Sequence, residues 1–283
     1  MREPNSIRRT ISQLRIWKHS LESAWRWKRL SFKDIPPIFG NSFHKSGSHL
    51  LLQILYGVME IAPYRHLEQK PVRMTTAEGR HRSTGEIMQD MARLKPGVIK
   101  WGYLSYLPEF INFFSQNPQI APLFIFRDPR DQLISSIYYA IDIHKQHAQH
   151  EFYASITMDE CIKTAIKGRD VPGLQYLPSI KAQYDRIIGW IIAPDILAFR
   201  FEDLVTKPGP QIHRLLDFLE AKQLPIQMDR DTAVATILTA IQPEKSPTFR
   251  KGKTGGWQDH FSEEHIQLFK EVTGDLLDRK SVV

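Results

Sequence analysis

The sequence predicts an α/β fold of three layers, with a central parallel sheet flanked by helices on both faces. Short apolar runs alternate with helical patterns along the chain, which is typical of parallel strands joined by covering helices. The 283 residues, of which 42% are apolar, suffice for one sizeable core. We therefore expect one domain over residues 31–283, preceded by a basic extension over residues 1–30.

Four apolar runs are short enough to be buried strands of this sheet. They are residues 38–43, 98–101, 122–126 and 196–201. Helices are predicted at residues 50–61, from residue 129 to about 145, and at 211–219. Ser83 and Glu86 form a capping-box sequence, which predicts a further helix that ends at Leu94.

The third apolar run is followed directly by a strong helix start. Asp128 is a good N-cap, Pro129 suits the first helical position, and Asp131 lies in the first turn. In isolation, this segment is equally well explained as a capped helix start with solvated charges.

Residues 1–30 carry most of the excess positive charge. They hold eight Lys and Arg residues and two Glu residues, whereas the net charge of the whole chain is +7. Apolar side chains at helical spacing would form one stripe; they are Ile7, Ile11, Leu14, Leu21 and Trp25. The pattern fits a helix on an anionic membrane or a helix packed on the domain, and we favour the packed helix because globular helices often show it.

Cysteine content and hydropathy indicate the cellular setting. The single cysteine, Cys161, cannot form an intramolecular disulfide. The chain has no apolar run of transmembrane length, and its N-terminus lacks the apolar segment of a signal peptide. We expect a cytoplasmic protein that could associate with a membrane through residues 1–30.

The loop between the first predicted strand and its helix is a candidate phosphate site. Gly47 permits a tight turn that exposes backbone N–H groups at a helix N-terminus, where an anion is favoured. Lys45 adds a positive charge, and Ser46 and Ser48 add hydroxyl donors. A Walker A loop fits less well, because His44 stands where that motif has glycine and no magnesium-binding Asp follows the third strand.

Three separated segments resemble the cofactor motifs of one enzyme family. KSGS at residues 45–48 is similar to the loop that receives the 5′-phosphosulfate in sulfotransferases that use 3′-phosphoadenosine 5′-phosphosulfate (PAPS). RDPRDQLIS at 127–135 resembles their second motif, and FRKGKTGGW at 249–257 resembles the loop that closes over the cofactor. FEDL at 201–204 is similar to a strand end near the adenine. The segments occur in the family's order, so the chain resembles a PAPS-dependent sulfotransferase.

The resemblance implies a P-loop-like form of the predicted fold and a sulfotransferase domain over residues 31–283. It implies transfer of a sulfuryl group from PAPS to a hydroxyl or amine of a small-molecule, lipid or saccharide acceptor, which leaves adenosine 3′,5′-bisphosphate (PAP) and involves no metal. Lys45 is implied to stabilise the departing nucleotide, and Arg127 and Ser135 to hold the 3′-phosphate. The other implied cofactor-binding residues are Ser46, Gly47, Ser48, His49, Leu50, Phe201, Phe249, Arg250, Lys251 and Gly252.

The chain departs from the family pattern in three places. Leu50 stands where small-molecule enzymes have an aromatic residue that stacks on adenine, so Phe201 or another aromatic residue must supply the stacking. His44 replaces the common proline before the lysine. Aligned backwards from Pro108, Tyr103 takes the place of the family's catalytic histidine, and a tyrosine with a pKa of about 10 is a poor base at neutral pH.

Other residues are alternative bases. Glycan-modifying relatives use a glutamate downstream of the loop, which makes Glu68 and Glu78 candidates, and His66 and His81 are candidates by chemistry alone. A second histidine cluster lies at residues 144–150, where a solvated helix end is a better explanation than a metal site because no carboxylate or cysteine lies at ligand spacing.

Two other functions stay open from the sequence. One is a P-loop nucleotide kinase, and the other is a non-catalytic nucleotide-binding module that lacks the usual histidine. Nucleic-acid binding is disfavoured, because outside residues 1–30 the chain is nearly neutral.

Overall fold

The computed structural model describes residues 18–29, 31–76, 79–171, 176–246, 252 and 254–277. Within this part of the chain, six strands form one sheet in which every pairing is parallel. The strands are β1 Ile38–Ser42, β2 His66–Leu67, β3 Val72–Arg73, β4 Val98–Tyr103, β5 Ala121–Phe126 and β6 Leu197–Arg200. Their order is β2–β4–β1–β5–β6, and β3 also pairs with β4.

Helices account for most of the remaining described residues. They are α1 Ser48–Ile61, α2 Thr84–Met91, α3 Pro108–Gln116, α4 Pro129–Tyr138, α5 His150–Ala154, α6 Met158–Lys167, α7 Ile180–Asp185, α8 Ile188–Ile192, α9 Phe201–Thr206, α10 Pro208–Ala221, α11 Arg230–Ala240 and α12 Glu263–Thr273. A π-helical turn follows α4 at Tyr139–Ile143, and 3₁₀ turns lie at Pro243–Lys245, Gly256–Asp259 and Gly274–Leu277. Residues 18–26 are also helical.

Two apolar cores lie on opposite faces of the sheet, which confirms the predicted three layers. Leu123 and Ile125 of β5 contribute to the core shared with α1, α10 and α11. Phe124 and Phe126, which alternate with them, contribute to the core shared with α2, α3, α4, α6, α7 and α12. Because consecutive side chains of β5 point to opposite faces of the sheet and all are buried, helices must cover both faces, as in α/β proteins.

The capped helix starts are confirmed. Asp128 accepts a hydrogen bond from the Arg130 N–H, and Pro129 occupies the first turn of α4. Ser83 and Glu86 form the predicted capping box of α2, although that helix ends at Met91 rather than at Leu94.

The helix predicted from residue 129 to about 145 is confirmed to Ile143, although its last five residues form the π-helical turn. One predicted strand boundary was wrong. Phe201 begins α9 instead of ending a strand, since Glu202 and Asp203 favour the positive end of a helix in its first turn.

Strands β2 and β3 were missed because each has only two residues, too few to show a period. Helix α6 was also missed, although Thr157 and Glu160 form a capping box at its start.

The described part of the basic extension contacts the C-terminal end of α1. Ser23 Oγ donates a 2.6 Å hydrogen bond to the Tyr64 carbonyl, and Arg26 pairs with Glu60 at 2.6 Å. These contacts are polar, whereas Leu21 and Trp25 are 51% and 86% exposed. In the described residues we find no helix with the length and apolar content needed to cross a membrane.

Candidate active site

The loop over residues 43–47 places an open helix N-terminus at the carboxyl end of β1. Gly47 adopts the left-handed region with φ of 100°, and α1 begins at the next residue without a side-chain cap. A Cβ atom on Gly47 would lie 2.6 Å from Phe201 Cδ2 and 2.9 Å from Ile125 Cδ1. The first N–H groups of α1, which include His49 and Leu50, therefore remain available to an anion.

Gly47→Ala tests this turn. We expect a loss of unfolding free energy of roughly 1–2 kcal/mol from the left-handed backbone and about 1–3 kcal/mol from overlap with Phe201, measured by urea denaturation. Gly209→Ala is the matched control: nothing lies within 4 Å of its added Cβ, so stability should be unchanged or slightly increased. Equal unfolding free energies of Gly47→Ala and Gly209→Ala would contradict the requirement for glycine at position 47.

Lys45 extends from the same loop over an aromatic ring. Its φ is 62°, and its ammonium nitrogen lies 4.2 Å from the centre of the Tyr139 ring. A cation over an aromatic face is attracted by the ring quadrupole. Ser46, the next residue of the loop, is fully buried. The loop thus holds the lysine against the π-helical turn after α4.

Phe201 connects the loop with the second motif. Its ring is the nearest neighbour of a Cβ at Gly47, and the Arg127 guanidinium lies 4.5 Å from the centre of the same ring. Tyr184 makes a second link, because its hydroxyl donates a 2.7 Å hydrogen bond to the Arg127 carbonyl while its ring packs edge-on against Phe43 at 5.3 Å. Two aromatic residues therefore bring Arg127 next to the loop.

Asp131 connects the second motif with the C-terminal segment. This carboxylate is only 3% exposed, pairs with Arg127 at 3.5 Å, and accepts hydrogen bonds from the backbone N–H groups of Gly255 at 2.8 Å and Trp257 at 2.9 Å. Gly252 precedes this anchor by three residues. Phe249, Arg250 and Lys251, the remaining predicted residues of that segment, lie outside the described residues.

Arg127 is held between two acidic side chains. Besides Asp131, its Nε lies 3.9 Å from Glu202 Oε1, which also accepts a 3.1 Å hydrogen bond from the Asp128 N–H. Burial raises the pKa of Glu202, and the charges of Arg127 and Arg200 oppose that shift. Ser135 lies one helical turn beyond Asp131 and thus on the same side of α4.

Tyr103 ends β4 beside the start of α1. Its hydroxyl donates a 3.1 Å hydrogen bond to Ser48 Oγ. Asn41 fixes this strand end, because its side-chain amide pairs with both the N–H and the carbonyl of Leu104 at 2.8 and 3.0 Å. Burial raises the pKa of Tyr103, against smaller opposing effects of Ser48 and Arg73. The Tyr103 hydroxyl therefore ionises less readily here than in water, so less of the basic phenolate form is present at neutral pH.

Among the alternative bases, Glu68 is already engaged. It lies 3.6 Å from both His66 Nε2 and Lys100 Nζ, and these contacts lower its pKa, His66 most strongly. Lys100 and Tyr103 project from opposite faces of β4, because side chains alternate along a strand. The backbone of His81 forms an isolated antiparallel β-bridge with Thr75. Glu78 lies outside the described residues.

The histidines at residues 144–150 surround the π-helical turn. His144 stacks on Tyr139 with ring centroids 5.6 Å apart, His147 meets the same ring edge-on, and His150 Nδ1 contacts the Ala140 carbonyl at 2.8 Å. Among the described residues, no three His, Cys, Asp or Glu side chains lie together as metal ligands would.

The donor set suits a nucleotide with anionic groups at both ends. The loop offers Lys45 and the uncapped N-terminus of α1, while the second motif offers Arg127 and Ser135, and Phe201 lies between the two groups. Sequence reasoning missed the residues that hold these groups together, namely Asn41, Tyr184 and the carboxylates of Asp131 and Glu202. A polar residue within an apolar run, as at Asn41, is a signal that could have been used.

Comparisons with known proteins agree with this geometry. A family model described as the sulfotransferase domain matches residues 36–281. Among curated relatives, the chain is 20% identical over 190 residues to 3-alpha-hydroxysteroid sulfotransferase of Cavia porcellus, covering 60% of this chain and 61% of that protein. It is 22% identical over 196 residues to sulfotransferase 6B1 of Danio rerio, covering 66% and 61%. The matched region thus spans about six-tenths of these relatives.

Solved structures share the fold. Mouse sulfotransferase SULT7A1 complexed with PAP superimposes with a TM-score of 0.60 at 16% identity, covering 94% of this chain and 92% of that chain. Retinol dehydratase in complex with androsterone and PAP superimposes with a TM-score of 0.55 at 16% identity, covering 88% and 84%. At such low identities, these superpositions show that the fold is shared and no more. The match to the family model shows the relationship: the chain belongs to the sulfotransferase domain family.

Proposed function

We propose that the chain transfers a sulfuryl group from PAPS to a hydroxyl or amine of an acceptor. The observation that carries this proposal is the connected set of contacts from Gly47 through Phe201, Arg127 and Asp131 to Gly255. It joins the three segments that resemble the family's cofactor motifs. A small-molecule acceptor is supported by the androsterone bound in the retinol dehydratase structure, and lipid and saccharide acceptors belong to the wider proposal.

The roles of the residues follow from their chemistry. When bound, PAPS supplies an activated sulfuryl group and a nucleotide leaving group. Lys45 and the N-terminus of α1 bind and neutralise negative charge at the 5′ end, where charge increases as the nucleotide departs. Arg127 and Ser135 bind the 3′-phosphate, and the arginine fork suits its oxygens. Positioning and electrostatics account for most of the catalysis in group transfers of this kind.

The test is thermal stabilisation by PAP in the presence of EDTA. A hundredfold excess over Kd stabilises the folded state by about 2.7 kcal/mol, which corresponds to a rise in Tm of roughly 5 °C for a chain of this size. Arg127→Ala should remove nearly all of this shift, because it deletes the main cation for the 3′-phosphate. Arg26→Ala, which removes exposed contacts with Glu60 and Trp27 far from the proposed nucleotide site, is the matched control and should keep the shift.

An unshifted parent protein would contradict the proposal. Stabilisation by ATP with Mg²⁺, but not by PAP, would favour the nucleotide kinase instead. Transfer of labelled sulfate from PAPS to any acceptor would exclude the non-catalytic module.

Peripheral membrane contact through residues 1–30 stays a prediction. The basic composition and the exposed Leu21 and Trp25 side chains support it. The contacts of Ser23 and Arg26 with the domain support the packed helix.

A further inference from the structure

A histidine from the phosphate loop occupies the place beside Tyr103. The rings of His44 and Tyr103 stack with centroids 4.3 Å apart and planes inclined by 15°. In the resemblance drawn from the sequence, Tyr103 takes the place of the family's histidine, so an imidazole lies 4.3 Å from the residue at that place. It comes from a different strand end, 59 residues earlier in the chain.

The backbone of His44 is fixed as well as its ring. Its carbonyl accepts a 3.0 Å hydrogen bond from Gln132 Nε2, and the Gln132 side chain is buried and also bonded to Ser136 Oγ at 3.1 Å. The next residue is Lys45, which we assign to the departing nucleotide. The imidazole is therefore held at the end of the loop where sulfuryl transfer would occur.

The groups around His44 keep it neutral. Part of the His44 side chain is exposed, and desolvation by the groups packed around it, followed by the charges of Arg73 on β3, His147 after the π-helical turn and Lys45 on the loop, lowers the pKa of His44. A neutral imidazole can accept a proton, and its pKa would increase when an anionic ligand offsets the nearby positive charges. Tyr103, by contrast, is held as a hydrogen-bond donor to Ser48.

We infer that His44 is the general base of the proposed reaction, in place of the family's histidine. This inference rests on the proposed function. The acceptor O–H bond breaks and its proton moves to a ring nitrogen of His44, while the acceptor oxygen forms the new bond to sulfur. The bond between sulfur and the nucleotide's bridging oxygen breaks, and its electron pair stays with the departing nucleotide, which Lys45 stabilises. His44 then releases the proton to water.

The first experiment compares two acceptors at pH 8.5 in the parent and in His44→Gln. Androsterone is an alcohol that must lose its proton during transfer, whereas 4-nitrophenol is already ionised at this pH. Loss of a general base typically costs about 10²–10⁴-fold, so we expect at least a hundredfold loss of kcat with androsterone and less than a tenfold loss with 4-nitrophenol. Equal losses with both acceptors would show a structural role and overturn the inference.

Two further variants complete this experiment. Tyr103→Phe keeps the stacked ring and removes the hydroxyl, so its kcat with androsterone should fall less than that of His44→Gln. A larger fall of kcat in Tyr103→Phe than in His44→Gln would make Tyr103 the base and overturn the inference. His19→Gln is the matched control, because this histidine lies in the helix of residues 18–26, where it contacts Glu22 at 3.3 Å.

A second experiment does not depend on turnover. PAP binding is measured by calorimetry at pH 5.5 in two buffers of different ionisation enthalpy, which reveals proton uptake. The parent should take up a fraction of a proton because the bound anion raises the pKa of His44, and His44→Gln should take up less. Equal uptake in both proteins would overturn the inference and leave the proposed function intact, whereas absence of PAP binding by the parent would contradict the proposed function itself. If the parent modifies neither acceptor, the calorimetric result decides.

Discussion

Lys45→Ala is expected to lower kcat for sulfate transfer by on the order of 10²–10³-fold, the typical effect of removing one group that stabilises a developing anion. The lysine extends from the loop before the open N-terminus of α1, with its ammonium nitrogen 4.2 Å from the centre of the Tyr139 ring. Stabilisation by PAP should be reduced but not lost, since Arg127 remains. The effect therefore falls more on catalysis than on nucleotide binding.

The measurement is kcat at saturating PAPS, with PAP-induced Tm shifts on the same samples. Lys270→Ala, on the exposed last turn of α12, is the matched control and should retain normal kcat and normal stabilisation. A Lys45→Ala variant with near-normal kcat would contradict the role of this loop in the transfer step.

Asp131→Asn is expected to have the largest combined effect on stability and binding. The buried carboxylate neutralises Arg127 and holds the backbone of Gly255 and Trp257. Breaking a buried pair by removing one partner typically costs about 3–5 kcal/mol. Because the C-terminal segment loses its anchor, PAP affinity should also fall by roughly tenfold, which corresponds to about 1.4 kcal/mol of binding free energy.

Urea denaturation and PAP titration at a temperature where the variant is folded separate the two effects. Asp185→Asn is the matched control, because its exposed pair with Lys181 should be worth less than about 1 kcal/mol. Normal PAP affinity in a folded Asp131→Asn protein would contradict the proposed link between the second motif and the C-terminal segment.

Local chemistry made part of this site predictable from the sequence. Asp128 and Pro129 define the start of α4 within a few residues, and Gly47 precedes α1 as the phosphate-loop pattern requires. These features depend on interactions between near neighbours in the chain, which a sequence pattern records directly.

The remainder depends on contacts between distant residues. The register of β1 and β4 pairs Asn41 with Gly102. That pairing brings the carboxyl ends of the two strands together, so that His44, just after β1, stacks on Tyr103, the last residue of β4. The sequence treats these two as separate departures from the family pattern, whereas the structure makes them one stacked pair. Likewise, Asp131 was predicted only as a helix-start residue, because the two backbone N–H groups that it holds in the C-terminal segment lie more than 120 residues away.

A crystal structure of the complex with PAP is the most direct test of whether three distant segments hold one nucleotide. We predict that the 5′-phosphate lies within hydrogen-bond distance of Lys45 and the first N–H groups of α1, that the 3′-phosphate lies on Arg127 and Ser135, and that the segment before Gly255 lies over the nucleotide. A complex in which Lys45 and Arg127 line different cavities, so that only one of them contacts the nucleotide, would contradict this prediction.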